Sequence, residues 1–244
     1  MYPLLYTGAS GMIAGLRTLN VVSNNLANVR TAAYRPEHTL FASYLSAEMA
    51  RQIPQGQPPS YGVSVSGGWR DERPGSLRET GNPLDLALES RGWFRVGTTA
   101  GERLTRAGTF QRAQSGRLVT PEGDPVLDDR GQPITLPEGD VVIAPDGSLT
   151  VNGAQVARLG FVDAPVAEMT REGATLWSAG SGARAMAQGE ARVAQGFVEE
   201  PQVQATNELV SMIEASRLFE LQQRVVDLTA NTLARKALDL ANAK

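Results

Sequence analysis

A seven-residue repeat at both ends of the chain, absent between them, most limits how this sequence can fold. Leu5, Met12, Leu19 and Leu26 stand seven apart, and Ala9, Leu16 and Ser23 follow the first three by four residues. Such spacing describes a narrow helical seam rather than the broad apolar stripe of an ordinary core helix. Residues 4–28 carry one charge, Arg17, and three glycines, Gly8, Gly11 and Gly15. Each glycine costs about 1 kcal/mol of helix stability relative to Ala. A helix so uncharged and so marginal on its own expects neighbours on more than one side. The Gly11-x-x-x-Gly15 pair either admits a second helix backbone closely or leaves the helix poorly formed. The lack of charge favours close packing.

Residues 207–242 repeat the pattern more clearly. Met212, Phe219, Val226, Leu233 and Leu240 are seven apart, Leu209 precedes them, and a second stripe runs Leu218, Leu221, Val225, Leu228. Glu220 and Arg224 have the favourable i, i+4 order, worth a few tenths of a kcal/mol, roughly. Thr206 or Asn207 can cap the start. A helix of about 36 residues is about 54 Å long, more than a compact core needs. Both seams read as contact surfaces between chains. Burial within one chain is the alternative.

The middle, about residues 32–205, has no helical period. It contains much of the chain's 25 glycines and 14 prolines, and short β-prone runs alternate with turn signals. These runs are Leu86–Leu88, 93–96, 117–120, Val141–Ile143 before Asp146-Gly147, 149–151 and 156–162. The prolines at 54, 58 and 59 make 51–61 look like an extended linker. The expected fold class is therefore α+β: N- and C-terminal helices forming a coiled-coil-like layer, with an antiparallel β domain inserted between them. The expected boundaries are 1–31 and 206–244 for the helical part, 32–79 for an extended linker, and 80–205 for the β domain.

Composition excludes several function classes. With 23 basic and 26 acidic residues the net charge is −3, not the basic excess of a nucleic-acid binder. There are no cysteines and one histidine, His38, which removes disulfides, thiolate metal sites and cysteine nucleophiles. The apolar runs fall far short of the roughly 20 residues of a membrane span, so no direct membrane insertion is expected. The N-terminus lacks the early basic residue and unbroken apolar stretch of a secretory signal. Any export is expected to proceed without a cleaved signal.

No active-site constellation emerges. Gly180-Ser-Gly-Ala-Arg-Ala185 imitates a dinucleotide fingerprint, but no apolar strand precedes it and no convincing helix follows. Asp124, Asp128 and Asp129 lack the alternating oxygens and closing Glu of a calcium loop, and read as solvated turn residues. His38 reads as a surface or interface side chain. No catalytic residue, metal ligand or cofactor is assigned.

At Ser23-Asn-Asn-Leu-Ala-Asn28, followed by Thr31 and Tyr34-Arg35, the chain resembles the N-terminal signature of the flagellar rod and hook axial proteins. Further blocks follow in that family's order. They are Thr80-Gly-Asn-Pro-Leu-Asp-Leu-Ala-Leu88, Gly92-Trp-Phe-Arg-Val96, Leu104-Thr-Arg-Ala-Gly-Thr-Phe110, Gly116-Arg-Leu-Val-Thr120, Gly123 and Val126-Leu127. Gln195-Gly196, Glu199, Val203, Glu208, Met212-Ile213, Arg217 and Phe219-Glu220 resemble the C-terminal signature. Three positions depart from the pattern. Ala33 stands where the family usually has Gly, so it is strained if φ is positive there. Ala113 replaces a common acidic residue. Pro201, Gln202 and Gln204 replace a Ser-Asn-x-Asn run that usually caps the last helix.

The resemblance implies a structural, non-enzymatic subunit of the flagellar basal-body rod. Its partners would be copies of itself, other rod subunits and the flagellar type III export apparatus, in a shaft crossing the periplasm. One β domain and this length fit the proximal-rod type better than the distal-rod type. The resemblance also implies that the end helices pair in an inner coiled-coil layer lining the export channel. The interface residues would be Leu5, Met12, Leu16, Leu19 and Leu26 with Leu209, Met212, Phe219, Val226, Leu233 and Leu240. Within the motif Ser23, Asn24, Asn25, Leu26, Ala27 and Asn28, the three asparagines offer donors and acceptors that suit fixing register between subunits. The alternative for Asn28 is that it closes the helix in a left-handed conformation.

Overall fold

The computed structural model describes residues 2–44, 62–70 and 75–242. Two long helices and many short antiparallel strands make the chain α+β. The chain divides into two compact units, one of 1–27, 36–71 and 203–244, the other of 28–35 and 72–202. The expected linker at 51–61 lies outside the described residues.

In the first unit, helix α1 spans Tyr2–Ala27 and helix α2 spans Ala205–Asn242, 38 residues or about 57 Å. The helices run antiparallel side by side. Gly8 faces Val226, Gly11 faces Gln222, and Gly15 faces Phe219. A Cβ on Gly8 would lie 2.7 Å from Val226 Cγ2 and one on Gly11 2.8 Å from Gln222 Nε2, so at these two positions α2 side chains come closer than a Cβ permits, while Gly15 leaves room for one. The Gly-x-x-x-Gly pair thus serves close packing inside one chain. Strands β1 (Glu37–Tyr44) and β2 (Gly62–Arg70) pair antiparallel with a register shift at Leu40/Phe41 and lie against α1. Both arms fall within 32–79, where the sequence leads one to expect an extended linker rather than paired strands. His38 stands half-buried in β1.

Helix α2 begins earlier than its capping residues suggested. Thr206 and Asn207 lie inside the first turn, the Glu208 amide donates to the Gln204 carbonyl, and Asn207 Nδ2 donates to Gln204 Oε1 at 2.8 Å. No ion pair joins Glu220 to Arg224 among the described residues.

The second unit is the β unit. Its largest sheet has six strands in the order Thr170–Glu172, Leu176–Ser178, Gly101–Thr105, Trp93–Thr98, Phe161–Asp163, Arg184–Ala185. Successive side chains point to opposite faces, and both faces are covered. Phe94 and Val96 enter a core with Phe110, Leu118, Leu149 and Phe161, where Phe94 meets Phe110 edge-on at 5.2 Å. Trp93 turns the other way, to Leu104, Val162 and Trp177. The expected run at 156–162 is two strands, Ala154–Arg158 and Phe161–Asp163. Between them Gly160 passes so close to the Asp128 carbonyl that a Cβ would collide with it.

The motif segment after α1 is built into this unit. The Ala33 amide donates to the Glu199 carbonyl at 2.8 Å, and the Gln202 amide donates to the Tyr34 carbonyl. Tyr34 is fully buried, with the Arg171 guanidinium 4.4 Å over its ring, while Arg35 lies 5.3 Å over Trp93. Ala33 has φ +55°, the left-handed region that strains an L-residue.

Candidate assembly interface

Helix packing sorts the expected interface residues into three groups. Phe219 and Val226 are half-buried against Gly15 and Gly8 of α1, so this part of the α2 seam is used within the chain; Met212 is also half-buried. Met12, Leu19 and Leu26 are half-buried too, while Gly8, Gly11 and Gly15 of α1 lie against α2. Leu16 and Leu209 are exposed. The side chains of Leu5, Leu233 and Leu240 lie outside those described.

The motif asparagines differ from one another. Asn25 is 2% exposed and grips the backbone of Glu37 with both ends of its amide: Nδ2 donates to the Glu37 carbonyl at 3.0 Å, and Oδ1 accepts from the Glu37 amide at 3.1 Å. Nδ2 also reaches Glu208 Oε2 on α2 at 3.4 Å. Its contacts tie α1 to β1 and α2 inside one chain, because a buried amide must find its partners where it lies. Asn28 is half-buried and accepts at Oδ1 from Thr31 Oγ1 in the turn that ends α1. Among the described residues the non-glycine positive φ angles fall on Ala33 and Asn152, so Asn28 does not close the helix in a left-handed conformation. Ser23, Asn24 and Ala27 are exposed.

What the helix pair leaves uncovered is a second apolar surface. On α2, Leu218, Leu221, Val225 and Leu228 are 52, 57, 50 and 68% exposed, and Leu209, Val210 and Ile213 are exposed near its start. On α1, Ile13 and Leu16 are exposed. The signal for the α2 stripe was its 3-4-3 spacing, a heptad pattern on a different face from 212, 219 and 226. Ile13, Val210 and Ile213 break the period, and no spacing marked them.

Motif residues in the β unit hold that unit together. Arg106 Nε meets Glu199 Oε2 at 2.8 Å, with side chains 6% and 1% exposed, and Arg106 Nη2 donates to the carbonyls of Leu88 and Ser90. Gln195 Nε2 donates to the carbonyls of Pro83 and Val141, and its Oε1 accepts from the Ile143 amide. Gly108 lies so tightly on Leu86 that a Cβ would strike its carbonyl. These buried polar groups are spent on one another. Among the described residues, no three His, Cys, Asp or Glu side chains gather to hold a metal, and no helix is long and apolar enough to cross a membrane.

Three family models match the chain in order. They are described as flagella basal body rod protein (residues 5–35), flagellar hook protein FlgE/F/G D1 domain (87–151) and flagellar basal body rod FlgEFG protein C-terminal (194–240). Among curated relatives, the flagellar basal-body rod protein FlgF of Caulobacter vibrioides is 32% identical over 96% of each chain. FlgF of Rhizobium meliloti is 32% identical over 88% of each, and FlgG of Bacillus subtilis is 28% identical over 97% of this chain and 98% of its own. With both helical ends and the β unit matched in sequence order, and relatives a third identical along nearly the whole length, the chain belongs to the flagellar basal-body rod protein family.

Proposed function

We propose that the chain is a structural subunit of the bacterial flagellar basal-body rod, of the proximal-rod type, polymerising with copies of itself and with other rod subunits. The observation that carries this is the uncovered apolar face of the helix pair. Among the described residues, nine large apolar side chains on α1 and α2 stand about half exposed or more. Covering the remainder of each contributes about 1 kcal/mol. Apolar surface gathered in this way marks a contact face.

The two end helices would form the inner, coiled-coil-like layer around the export channel, and the β unit, inserted between them in the chain, the outer layer. The interface draws on Leu16 and Leu209, which are exposed, and on Leu5, Met12, Leu19, Leu26, Met212, Phe219, Val226, Leu233 and Leu240. Asn24 and Asn28 would contribute polar contacts. Contacts between unlike patches that do not close give a helical tube rather than a ring, and a torque-bearing shaft needs such a tube. The subunit would leave the cytoplasm through the flagellar type III apparatus without a cleaved signal and take its place in the periplasmic part of the basal body. Its role involves no catalysis, cofactor or nucleic acid. The 32% identity to FlgF relatives against 28–30% to FlgG relatives favours the proximal type by a small margin; a distal-rod subunit is the second reading.

Deleting the gene and imaging the envelope by electron cryotomography tests the proposal. Basal bodies halted with a missing or stunted rod are expected, and the stub length separates proximal from distal. Intact, rotating flagella in the deletion strain overturn the assignment.

A further inference from the structure

We propose that an arginine-lined cleft within the β unit binds an organic carboxylate. The cleft encloses about 710 Å³, inside the range of about 300–1,000 Å³ usual for small-molecule sites. Arg35, Arg91, Arg106 and Arg184 line it, with Glu89 and Asp163 as the lining carboxylates. All six belong to the β unit, but they converge from distant parts of the chain. Arg35 arrives with the motif segment after α1, and Arg91 sits in the bend between strands Leu86–Leu88 and Trp93–Thr98. Arg106 directly follows strand Gly101–Thr105, and Arg184 opens strand Arg184–Ala185.

Three observations point to an anion with an apolar body. The first is burial: Arg35 and Arg106 are 3% and 6% exposed, so two guanidinium groups wall the cleft from inside the fold, where charge is costly unless matched. The second is what the local ion pairs leave over. At the rim Arg184 meets Asp163 and Glu190, and Glu89 meets Arg192. Arg106 gives Nε to Glu199 and Nη2 to the Leu88 and Ser90 carbonyls, while its Nη1 makes no hydrogen bond among the described residues. Arg91 is exposed and makes no ion pair among the described residues. A guanidinium only donates and an ionised carboxylate only accepts, and their pairing is short and charge-assisted. The third is the rest of the lining, Trp93, Ala164, Pro165 and Val166, with the Arg35 guanidinium 5.3 Å over the Trp93 ring. This apolar wall suits a carbon skeleton and gives nothing to an inorganic ion. A free polycarboxylate and an acidic side chain of a neighbouring protein present the same group to the cleft.

Trp93 lines the cleft, so tryptophan fluorescence reads its occupancy. The full-length chain in a Trp69→Phe background would be titrated with citrate, with the peptide acetyl-Glu-Glu-amide and with inorganic phosphate, at ionic strength held constant with sodium chloride. A saturable change with citrate or the peptide is expected. Arg91→Gln should weaken it roughly tenfold, the loss of one charge-assisted hydrogen bond. Arg112→Gln should leave it unchanged, because Arg112 is exposed and does not line the cleft. Arg91 is itself exposed, so its replacement leaves the fold intact. Tighter binding of the peptide than of citrate supports the site with an acidic protein segment as the source, and the reverse supports a free polycarboxylate. Phosphate binding as tightly as either overturns the organic carboxylate. No saturable change with citrate or peptide, or equal affinities in Arg91→Gln and Arg112→Gln, overturns the site.

Discussion

Replacing Glu199 by Gln removes one charge from a pair that is almost wholly buried. Arg106 Nε lies 2.8 Å from Glu199 Oε2, and the side chains are 6% and 1% exposed. Each partner is otherwise satisfied: Arg106 Nη2 donates to the Leu88 and Ser90 carbonyls at 3.1 Å, and Glu199 Oε1 accepts from the Gly75 amide at 3.0 Å. In the Gln variant one amide oxygen can keep the Gly75 contact, but the NH₂ group then faces the guanidinium, donor against donor. The cation stays buried without its counter-charge. Removing one partner of a buried pair costs about 3–5 kcal/mol, whereas an exposed pair costs about 0–1 kcal/mol. At about 3 °C per kcal/mol for a domain of this size, the melting temperature of the β unit falls by about 10–15 °C. Trp93 and Trp177 are buried in this unit, so urea unfolding followed by tryptophan fluorescence in a Trp69→Phe background reads it. The double variant Arg106→Met/Glu199→Met removes both charges and recovers most of the loss. A loss below about 1 kcal/mol for Glu199→Gln, or a double variant no better than the single, refutes the reasoning.

The remaining predictions probe other parts of the chain. Gly15→Ala places its Cβ 3.6–3.8 Å from Gln222 and Phe219, ordinary contact, and gains about 1 kcal/mol of helix propensity. Gly8→Ala meets Val226 Cγ2 at 2.7 Å and loses about 1 kcal/mol or more; circular dichroism melts should separate the two in opposite directions. Ala33, at φ +55°, should tolerate Gly within about 0.5 kcal/mol, because relief of strain offsets the added entropy of the unfolded chain. Ala33→Val should lose about 2 kcal/mol by urea titration, since a β-branched residue is poorly accommodated there. The Asp146 carboxyl is held below its ordinary 3.8 chiefly by the Ser148 amide, then by the Ser148 hydroxyl and Gln188. A lowered folded-state pKa contributes stability that is full above the unfolded value and is lost as pH falls through the folded one. Asp146→Ala should therefore flatten the decline in stability below about pH 4, and an unchanged acid profile counts against the turn's role. Amide exchange on the unassembled subunit should show weak protection across residues 7–27, since α1 carries three helix glycines and its partner helix an uncovered apolar face. Strong protection there refutes the expectation that α1 is marginal in the unassembled subunit.

How far the sequence revealed the fold depended on whether the deciding contacts were local. Strands Leu86–Leu88 and Val141–Ile143 were readable to the residue, the second because Asp146-Gly147 follows it and Gly147 takes φ +84° in the turn. Strands β1 and β2 were not readable. Their pairing spans the residues between Tyr44 and Gly62, and β2 carries Gly62, Gly67 and Gly68, which dilute any β signal. The buried Arg106–Glu199 pair has no local signature across 93 residues, though both residues sit in blocks that carried the family resemblance. Asn25 shows the limit for the candidate interface. An amide at the end of an apolar seam can fix one chain to another or one segment to the next, and only the position of Glu37 decides for the latter.

The α1 seam carries the same lesson into function. Seven-residue spacing sets Leu5, Met12, Leu19 and Leu26 in a row, but a row has no direction until a neighbour is placed beside it. Packing chose the glycine row to face α2, because backbones that approach closely gain contact along their whole length and leave no side chain to accommodate. Once the glycines are used inside the chain, the larger apolar side chains are the ones left at the surface. That is why Leu16 and Ile13 on α1, and Leu218, Leu221, Val225 and Leu228 on α2, stand exposed. The glycines that make α1 weak alone thus also bear on which of its surfaces stays uncovered.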